Sequence, residues 1–506
     1  MRILLVRPSY YIDKEDCPYQ FREPLGLEYL AAYIRNDCEV EIFDMLGLYW
    51  NKYDEVEGNP SLMRIGGSYE SLFKKIEKFH PDVVGITSMF LMERDFLFQL
   101  TKELKGLFPK IKIIVGGSHP SCIGEDLLVN NSYIDILVIG EGEETLKELI
   151  KKNFKNLSEI EGIIFKDSKK NQIFRTSNRK PVNIDFIPFP DRDMVLYKNY
   201  DKSVKYAALR TRLGQKTAMR IMSLISNTPI DCLLDKPLNF LRRKFAKNSI
   251  GFPSATIVTS RSCPNRCTFC AIRKVWGNMY RMRSAESVIK EISILYNNYG
   301  IRHIAIQDDN FTVSKERTIK ICKAIIENEF QITIEASSGI YIPSLDREVL
   351  TWLKRAGLNS MYLGVESGNQ NVLTNIINKN LNLNKVSEVV NICKDLNIKV
   401  GGYFVIGFPG EKLENMRETI NFALKSKLDW VRLYLLQPFP GSEIYEECLK
   451  NGFLINDYDY TKMKIFKERF YIQTPEFKPE QVERLIYEGR KLLFDAGKLS
   501  DGFFNK

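Results

Sequence analysis

Over residues 1–152 the chain alternates short, almost wholly apolar runs with longer stretches whose apolar residues recur every three or four positions. The runs at 3–6, 39–44, 83–88, 111–116 and 134–139 have the length and the Val/Ile/Leu richness of strands buried on both faces. The stretches at 25–36, 68–79, 91–108 and 143–152 have the period of amphipathic helices. Such alternation predicts a doubly wound α/β domain with a parallel sheet. Sheets of this kind take their ligands outside the carboxyl ends of the strands. Here those ends carry Pro8-Ser9-Tyr10, Ser88-Met89, Gly116-Gly117-Ser118-His119-Pro120 and Gly140-Glu141-Gly142-Glu143. Glycine in such places lets a large flat ligand lie close to the backbone.

Residues 153–197 read as a β-hairpin and linker: two short β patterns at 162–166 and 172–176, then Ile187-Pro188-Phe189-Pro190. From 251 to 450 the strand and helix alternation returns, with strands expected near 255–259, 303–307, 333–337, 360–365, 400–406 and 430–435. Six β/α units predict a partial or complete parallel barrel, with its chemistry at the carboxyl ends of the strands. The remainder, 451–506, is expected to be helical, with a helix near 479–496 opened by Pro479.

With 44% hydrophobic residues and a mean hydropathy of −0.23 over 506 residues, the chain has ample material for large cores. The opening apolar run stops at Arg7, too soon for a secretory signal, and no stretch reaches the ~20 apolar residues of a spanning helix. A cytoplasmic protein is expected. The net charge of +10 is uneven: residues 198–247 hold twelve Lys/Arg and three Asp, a local +9. The rest is nearly neutral, so nucleic acid is not an expected partner. Apolar residues interleave with the cations, as in Leu238-Asn239-Phe240-Leu241-Arg242-Arg243-Lys244-Phe245. Segment 198–250 therefore reads as a basic amphipathic insert, either a lid on its neighbouring domain or a peripheral contact with an anionic membrane through 198–247.

Seven of the ten cysteines (Cys17, Cys38, Cys122, Cys232, Cys322, Cys393 and Cys448) are scattered among apolar neighbours and read as small buried residues. The other three fall in Ser260-Arg261-Ser262-Cys263-Pro264-Asn265-Arg266-Cys267-Thr268-Phe269-Cys270, directly after the first expected barrel strand. Three thiolates on one loop can each hold one iron of a [4Fe–4S] cluster and leave the fourth iron open to a small ligand. A structural zinc site is the rival, but it wants four tight ligands, and no further Cys or His lies near in sequence.

With these cysteines so placed, residues 254–450 resemble the radical S-adenosylmethionine enzymes, and residues 1–152 resemble the cobalamin-binding, Rossmann-like domain that precedes the barrel in some of them. Further motifs share the likeness. Asp308-Asp309-Asn310-Phe311-Thr312 is similar to the family's acidic segment near the amino group of S-adenosylmethionine. Gly364-Val365-Glu366-Ser367-Gly368 resembles the segment whose glutamate takes the ribose hydroxyls, Ile406-Gly407-Phe408-Pro409-Gly410-Glu411 the adenine-binding glycine stretch, and Pro438-Phe439-Pro440-Gly441-Ser442 the segment after the sixth strand.

The resemblance implies Cys263, Cys267 and Cys270 as cluster ligands and catalytic residues. It implies Asp308, Asp309, Glu366, Ser367, Gly407 and Gly410 at S-adenosylmethionine, and Pro8, Ser9, Tyr10, Ser88, Met89, Gly116, Gly117, His119, Gly140, Glu141 and Gly142 at cobalamin. None of the three histidines (His80, His119, His303) stands in Asp-x-His-x2-Gly, so cobalamin is expected without that axial imidazole. The implied chemistry is one-electron cleavage of S-adenosylmethionine to a 5′-deoxyadenosyl radical and methylation of an unactivated carbon. The implied partners are a small-molecule or lipid-like substrate and an external electron donor such as flavodoxin or ferredoxin. Two alternatives share these features: an oxidative cyclase or ring-rearranging enzyme like the anaerobic cyclase of chlorophyll biosynthesis, and a non-catalytic cobalamin and Fe–S sensor.

Overall fold

A computed structural model describes residues 1–13, 22–56, 58–167, 172–195, 200, 253–462 and 469–499. Apart from Tyr200 the basic insert lies outside the described residues, as do Cys17 and Cys232. The chain forms two compact units, the first spanning Met1–Thr256 with Lys274–Gly277, the second Ile257–Arg273 with Asn278–Lys506.

The first unit contains strands β1 (Arg2–Arg7), β2 (Tyr10–Asp13), β3 (Glu39–Asp44), β4 (Tyr53–Val56), β5 (Asn59–Ile65), β6 (Val83–Thr87), β7 (Lys112–Gly116), β8 (Ile136–Val138), β9 (Ile163–Asp167) and β10 (Gln172–Arg175). Seven of them form one sheet in the order β10-β9-β8-β7-β6-β1-β3. The pairings from β3 through β8 are parallel, and those of β9 and β10 are antiparallel. Successive side chains of a strand point to opposite faces. Leu4 and Val6 accordingly join a core with the helices Tyr69–Phe79 and Arg94–Leu107, while Ile3 and Leu5 join another with Leu25–Ile34 and Glu143–Lys151. Burial on both faces is why these strands read as continuous apolar runs.

Two features differ from the sequence reading. The hairpin over 163–175, expected as part of a connecting segment, is hydrogen-bonded to β8 and extends the sheet. In addition β2, β5 and β4 form a separate antiparallel sheet that the pattern did not announce. Its strands YYID, YDEV and NPSLMRI are rich in polar residues, with Pro60 inside one of them, so neither a buried run nor clean alternation marks them.

The second sheet runs in chain order through β11 (Ser254–Ile257), β14 (His303–Ile306), β15 (Thr333–Ala336), β16 (Leu358–Glu366), β17 (Lys399–Ile406) and β18 (Trp430–Leu435), and the short pair β12 (Ser260–Arg261) and β13 (Arg281–Met282) lies between the first two in sequence. The order leaves β11 and β18 as edges, so the barrel is partial. Crossover helices Ala285–Asn298, Lys315–Glu327, Arg347–Arg355 and Leu383–Asp395 begin at Ser284, Ser314, Asp346 and Asn382, whose side chains each accept a backbone N–H of the first turn. The carboxyl-terminal helix Pro479–Asp495 covers the β18 edge. There Arg490 donates Nε and a terminal nitrogen to the Leu433 carbonyl at 3.0 and 2.7 Å, and the Lys498 carbonyl accepts Val431 N–H at 2.8 Å. The Lys498 ammonium also caps the helix Leu413–Lys425 through the carbonyls of Ala423, Leu424 and Ser426. No helix among the described residues is long and apolar enough to cross a membrane.

Candidate active site

In the second unit β12 ends at Arg261, and Ser262 turns the chain with a left-handed φ of 72°. The loop that follows presents Cys263 and Cys267 half-buried and Cys270 exposed. Having no strand of its own, it is held from outside. Thr268 donates its N–H to Ile377 O and its hydroxyl to Ile376 O, both at 3.0 Å, and its carbonyl accepts Ile444 N–H at 3.0 Å. Asn310 Nδ2 donates to Cys263 Sγ at 2.8 Å, and the Phe269 ring meets Phe408 edge-on at 5.8 Å. The loop is therefore pinned to the segments that follow β14, β16, β17 and β18.

Burial pushes the Cys267 thiol up to about 12 and also raises Cys263. In the free protein these thiols are protonated, so a metal must displace protons to bind. Among the described residues no three His, Cys, Asp or Glu side chains converge as ligands of a single ion. A cubic cluster does not need such convergence, because each thiolate meets a different iron. The donor set fits a [4Fe–4S] cluster with one iron free.

The other expected residues divide into two groups. Asp309 is half-buried beside the loop and accepts the N–H of Ser262; burial first, then Asp308, pushes it up to about 7. Glu366 ends β16 at a shift in its register with β17, holds a left-handed φ of 69°, and pairs with Lys379 at 2.8 Å. Gly407 and Gly410 take φ of 97° and 79°, and a Cβ on Gly407 would lie 2.6 Å from the Phe470 ring. Glu411 shapes this turn by accepting the N–H groups of Gly407 and Phe408 at 2.8 and 3.1 Å, leaving Oε1 buried and unpartnered. Burial pushes Glu411 up to about 7. These groups suit a zwitterionic nucleoside.

Asp308 and Ser367 are taken up by the protein's own groups. Asp308 is buried and receives Thr259 N–H, Thr259 Oγ1 and Ser260 Oγ at 2.5–2.6 Å, so it braces strand ends instead of facing a ligand. Ser367 is fully buried, bonded to Thr419 Oγ1 at 3.0 Å and to Asn369 N–H at 3.1 Å. Lys379 is the residue that sequence reasoning missed. It lies outside every motif, thirteen positions beyond Glu366.

In the first unit all the nominated segments follow β1, β6, β7 and β8, four neighbours in one sheet, so they share one edge. Tyr10 and Glu141 are half-buried, and Met89 is 48% exposed. Gly117 has φ of 114°, and a Cβ there would lie 2.4 Å from the Ser88 carbonyl; one on Gly116 would meet nothing within 3.6 Å. Gly140 turns with φ of 77° and donates its N–H to Ser121 Oγ. Gly142 instead packs toward Leu30, and Pro8 is buried. Ser9 is fully buried and donates to Gly67 O at 2.8 Å.

His119 is 1% exposed. Its Nδ1 shares a 2.8 Å hydrogen bond with Ser88 Oγ, and Nε2 is buried without a partner. Glu93 Oε2 accepts Met89 N–H at 2.9 Å and lies 3.4 Å from Ser88 Oγ. Ser9, Ser88 and His119 thus support the edge, while the glycine backbone and Met89 face outward. A glycine-lined edge with an orphaned polar nitrogen beneath it suits a large flat ligand such as a corrin.

Comparison with known proteins agrees. The Radical SAM superfamily model matches residues 257–423, and the B12 binding domain model matches residues 16–150. An uncharacterized methyltransferase of Pyrococcus horikoshii is 28% identical over 490 residues, covering 96% of this chain and 91% of that one. The cytidylyl-2-hydroxyethylphosphonate methyltransferase of Streptomyces wedmorensis is 27% identical over 482 residues, covering 90% and 82%. The anaerobic magnesium-protoporphyrin IX monomethyl ester cyclase of Cereibacter sphaeroides is 24% identical over 450 residues, with 87% of this chain and 61% of the cyclase covered. Among solved structures, the radical S-adenosylmethionine methyltransferase TsrM of Kitasatospora setae shares the fold with a TM-score of 0.68 at 16% identity, covering 98% of this chain and 88% of that one. The cobalamin-dependent radical enzyme OxsB does so with a TM-score of 0.69 at 17% identity, covering 98% and 71%. The chain belongs to the radical S-adenosylmethionine enzymes that carry an amino-terminal B12-binding domain. The TsrM structure holds cobalamin and a [4Fe–4S] cluster, and the OxsB structure holds aqua-cobalamin and S-adenosylmethionine.

Two predictions follow from this geometry. Replacing Cys263, Cys267 or Cys270 by Ala abolishes cluster assembly on anaerobic reconstitution, whereas Cys322→Ala, in a buried helix position, retains it. Iron and acid-labile sulfide analysis decides, and bound zinc in the wild type would refute the assignment. The second concerns His119, which burial holds at about 4, below its ordinary value of 6.5. As pH falls through that window the unfolded chain takes up a proton that the folded chain refuses, so stability drops by on the order of 3 kcal/mol. His119→Gln removes this term, and urea unfolding of the cofactor-free chain at about pH 7 and about pH 4.5 should show a smaller acid loss in the variant. Equal losses would contradict it.

Proposed function

We propose that the protein is a cobalamin-dependent methyltransferase that adds a methyl group to an unactivated carbon of a small-molecule or lipid-like substrate. One observation carries the reading: the match to two methyltransferases runs through both domains and nearly the whole length of each chain. When bound, the cluster with S-adenosylmethionine supplies a carbon-centred radical for hydrogen abstraction and cobalamin supplies the methyl group.

The protein's own part is placement. Cys263, Cys267 and Cys270 hold three irons, Asp309 faces the ammonium of S-adenosylmethionine, Glu366 the ribose, and the 407–410 turn the adenine. Tyr10, Met89, Gly116, Gly117, Gly140 and Glu141 form the corrin edge. Residues lining the barrel keep water from the reacting carbon. A low-potential donor such as flavodoxin or ferredoxin provides electrons, and an oxygen-sensitive cluster beside free thiols suits the cytoplasm. Oxidative ring closure is the second reading, favoured by the likeness to the Cereibacter cyclase.

Comparing metabolites of cells with and without the gene identifies the substrate. The reconstituted enzyme, given that substrate and S-adenosylmethionine labelled in its methyl group, should yield a product heavier by one labelled methyl, with two equivalents of S-adenosylmethionine consumed. Product without label, lighter by hydrogen, would establish ring closure instead. Absence of 5′-deoxyadenosine would end both readings.

The +9 segment at 198–247 carries a separate proposal, peripheral contact with an anionic membrane. The full chain should sediment with phosphatidylserine vesicles at low salt, and a chain lacking residues 210–247 should not. Failure of the full chain to sediment eliminates the idea.

A further inference from the structure

The strands of the second sheet present two unlike faces. Phe404 and Leu433 are fully buried on the helical side, Phe404 against Phe422 of the helix Leu413–Lys425 and Leu433 near Gly489 of the helix Pro479–Asp495. Ile304 and Ile334 likewise line a small interior space with Val288, Ile292 and Ile321 of two crossover helices. Successive side chains of a strand point to opposite faces, so Glu335, Tyr403, Arg432 and Tyr434 turn away from the helices and into the barrel. There the packing is looser: these four are half-buried, although Tyr403 stands on an interior strand.

Tyr362 shares this inner face, since its ring stacks on Tyr403 with centroids 4.6 Å apart and an angle of 15° between planes. Trp430 lies 5.5 Å from Tyr362, and Tyr434 lies 6.4 Å from Tyr403 at 32°. Four rings thus climb the inner wall. The lower pair is closed: Trp430 and Tyr362 are 6% and 7% exposed, and a Cβ on Gly401, in register with both, would lie 2.7 Å from the Tyr362 ring. The upper pair is open. Tyr403 donates its hydroxyl to Ser337 O at 3.2 Å, and Arg432, in register with Tyr403, hydrogen-bonds the Tyr362 phenol. Tyr403 is also in register with Gly364, where a Cβ would come within 2.7 Å of Glu366 Oε1. The upper rings therefore adjoin the segment expected at the ribose.

We propose that Tyr403 and Tyr434 form the platform on which the substrate lies, and that this substrate is built on a flat, conjugated ring system carrying polar groups. Two ring faces held at a modest tilt attract another π-face more than a saturated skeleton of equal size. Arg432 and Glu335 on the same wall suit polar substituents, whereas an alkyl chain laid over them would strip their water without replacing it. The wall thus selects against a lipid-like substrate. The class so named rests on the barrel housing the radical chemistry of the proposed function.

Saturation-transfer NMR titrations of the full-length reconstituted protein compare three probes: 2-naphthol, its saturated counterpart decahydro-2-naphthol, and octanol. Only 2-naphthol should bind. Tyr403→Leu should weaken that binding about fivefold or more, and Tyr434→Leu, a second and independent change, should do the same. Tyr403→Phe, which keeps the ring and drops only the bond to Ser337, should bind as wild type does. Phe404→Leu, on the helical face, should lose stability in urea yet keep the probe, which separates a general loss of packing from loss of the platform. Equal binding of the three probes, no binding of 2-naphthol, or wild-type affinity in both leucine variants of the tyrosines would overturn the proposal. Binding is read without turnover, so the result stands whether or not methyl transfer is observed.

Discussion

The site depends on keeping three thiols in a fixed relation on a loop that has no regular structure of its own. A cubane held from one short segment needs that segment to be stiff before metal arrives, since disordered thiols would lose entropy on every coordination event. The stiffness comes from the barrel. Thr268, between Cys267 and Cys270, uses N–H, hydroxyl and carbonyl on partners more than a hundred residues away, and Asn310 bonds the Cys263 sulfur. Each partner lies in the segment that follows a strand. Six parallel strands in chain order bring those ends to one rim, so the sheet itself is the support for the metal loop.

Polar residues at these rims serve two purposes that look alike in sequence. Asp308 and Asp309 are adjacent acids, but Asp308 is consumed by three donors from Thr259 and Ser260, and Asp309 stands half-buried beside the cysteine loop. Glu366 and Ser367 divide the same way, one paired with Lys379 near the thiols and the other locked to Thr419. In the first unit Ser88, Glu93 and His119 form a buried group beneath Met89 and the glycines. A polar group removed from water must find a protein partner, and Asp308 and Ser367 find theirs in the backbone and hydroxyls of neighbouring elements, whereas Glu366 finds its partner in the Lys379 ammonium.

The open barrel also has to protect its last strand. Arg490 and the Lys498 backbone satisfy carbonyl and amide groups of β18, while the Lys498 side chain caps a neighbouring helix. The carboxyl-terminal helix therefore does for β18 what a further strand would do in a full barrel.

The parallel strands of both large sheets, the helices between them and the cysteine loop were legible along the chain because each rests on local regularity: apolar runs for strands buried on both faces, a 3.6-residue period for helices, and thiols within eight positions of one another. The antiparallel β2-β5-β4 sheet was not, since its half-exposed, polar strands leave no periodic trace. The cysteine triplet and the glycine turns bear their chemistry in residue type and spacing alone. Which member of each adjacent pair is taken up by the protein's own groups, and that Lys379 pairs with Glu366 from beyond a π-helical turn, was decided by tertiary structure. Hydrogen-bond partners and shared burial are set by which distant segments meet, and nothing in local spacing records that.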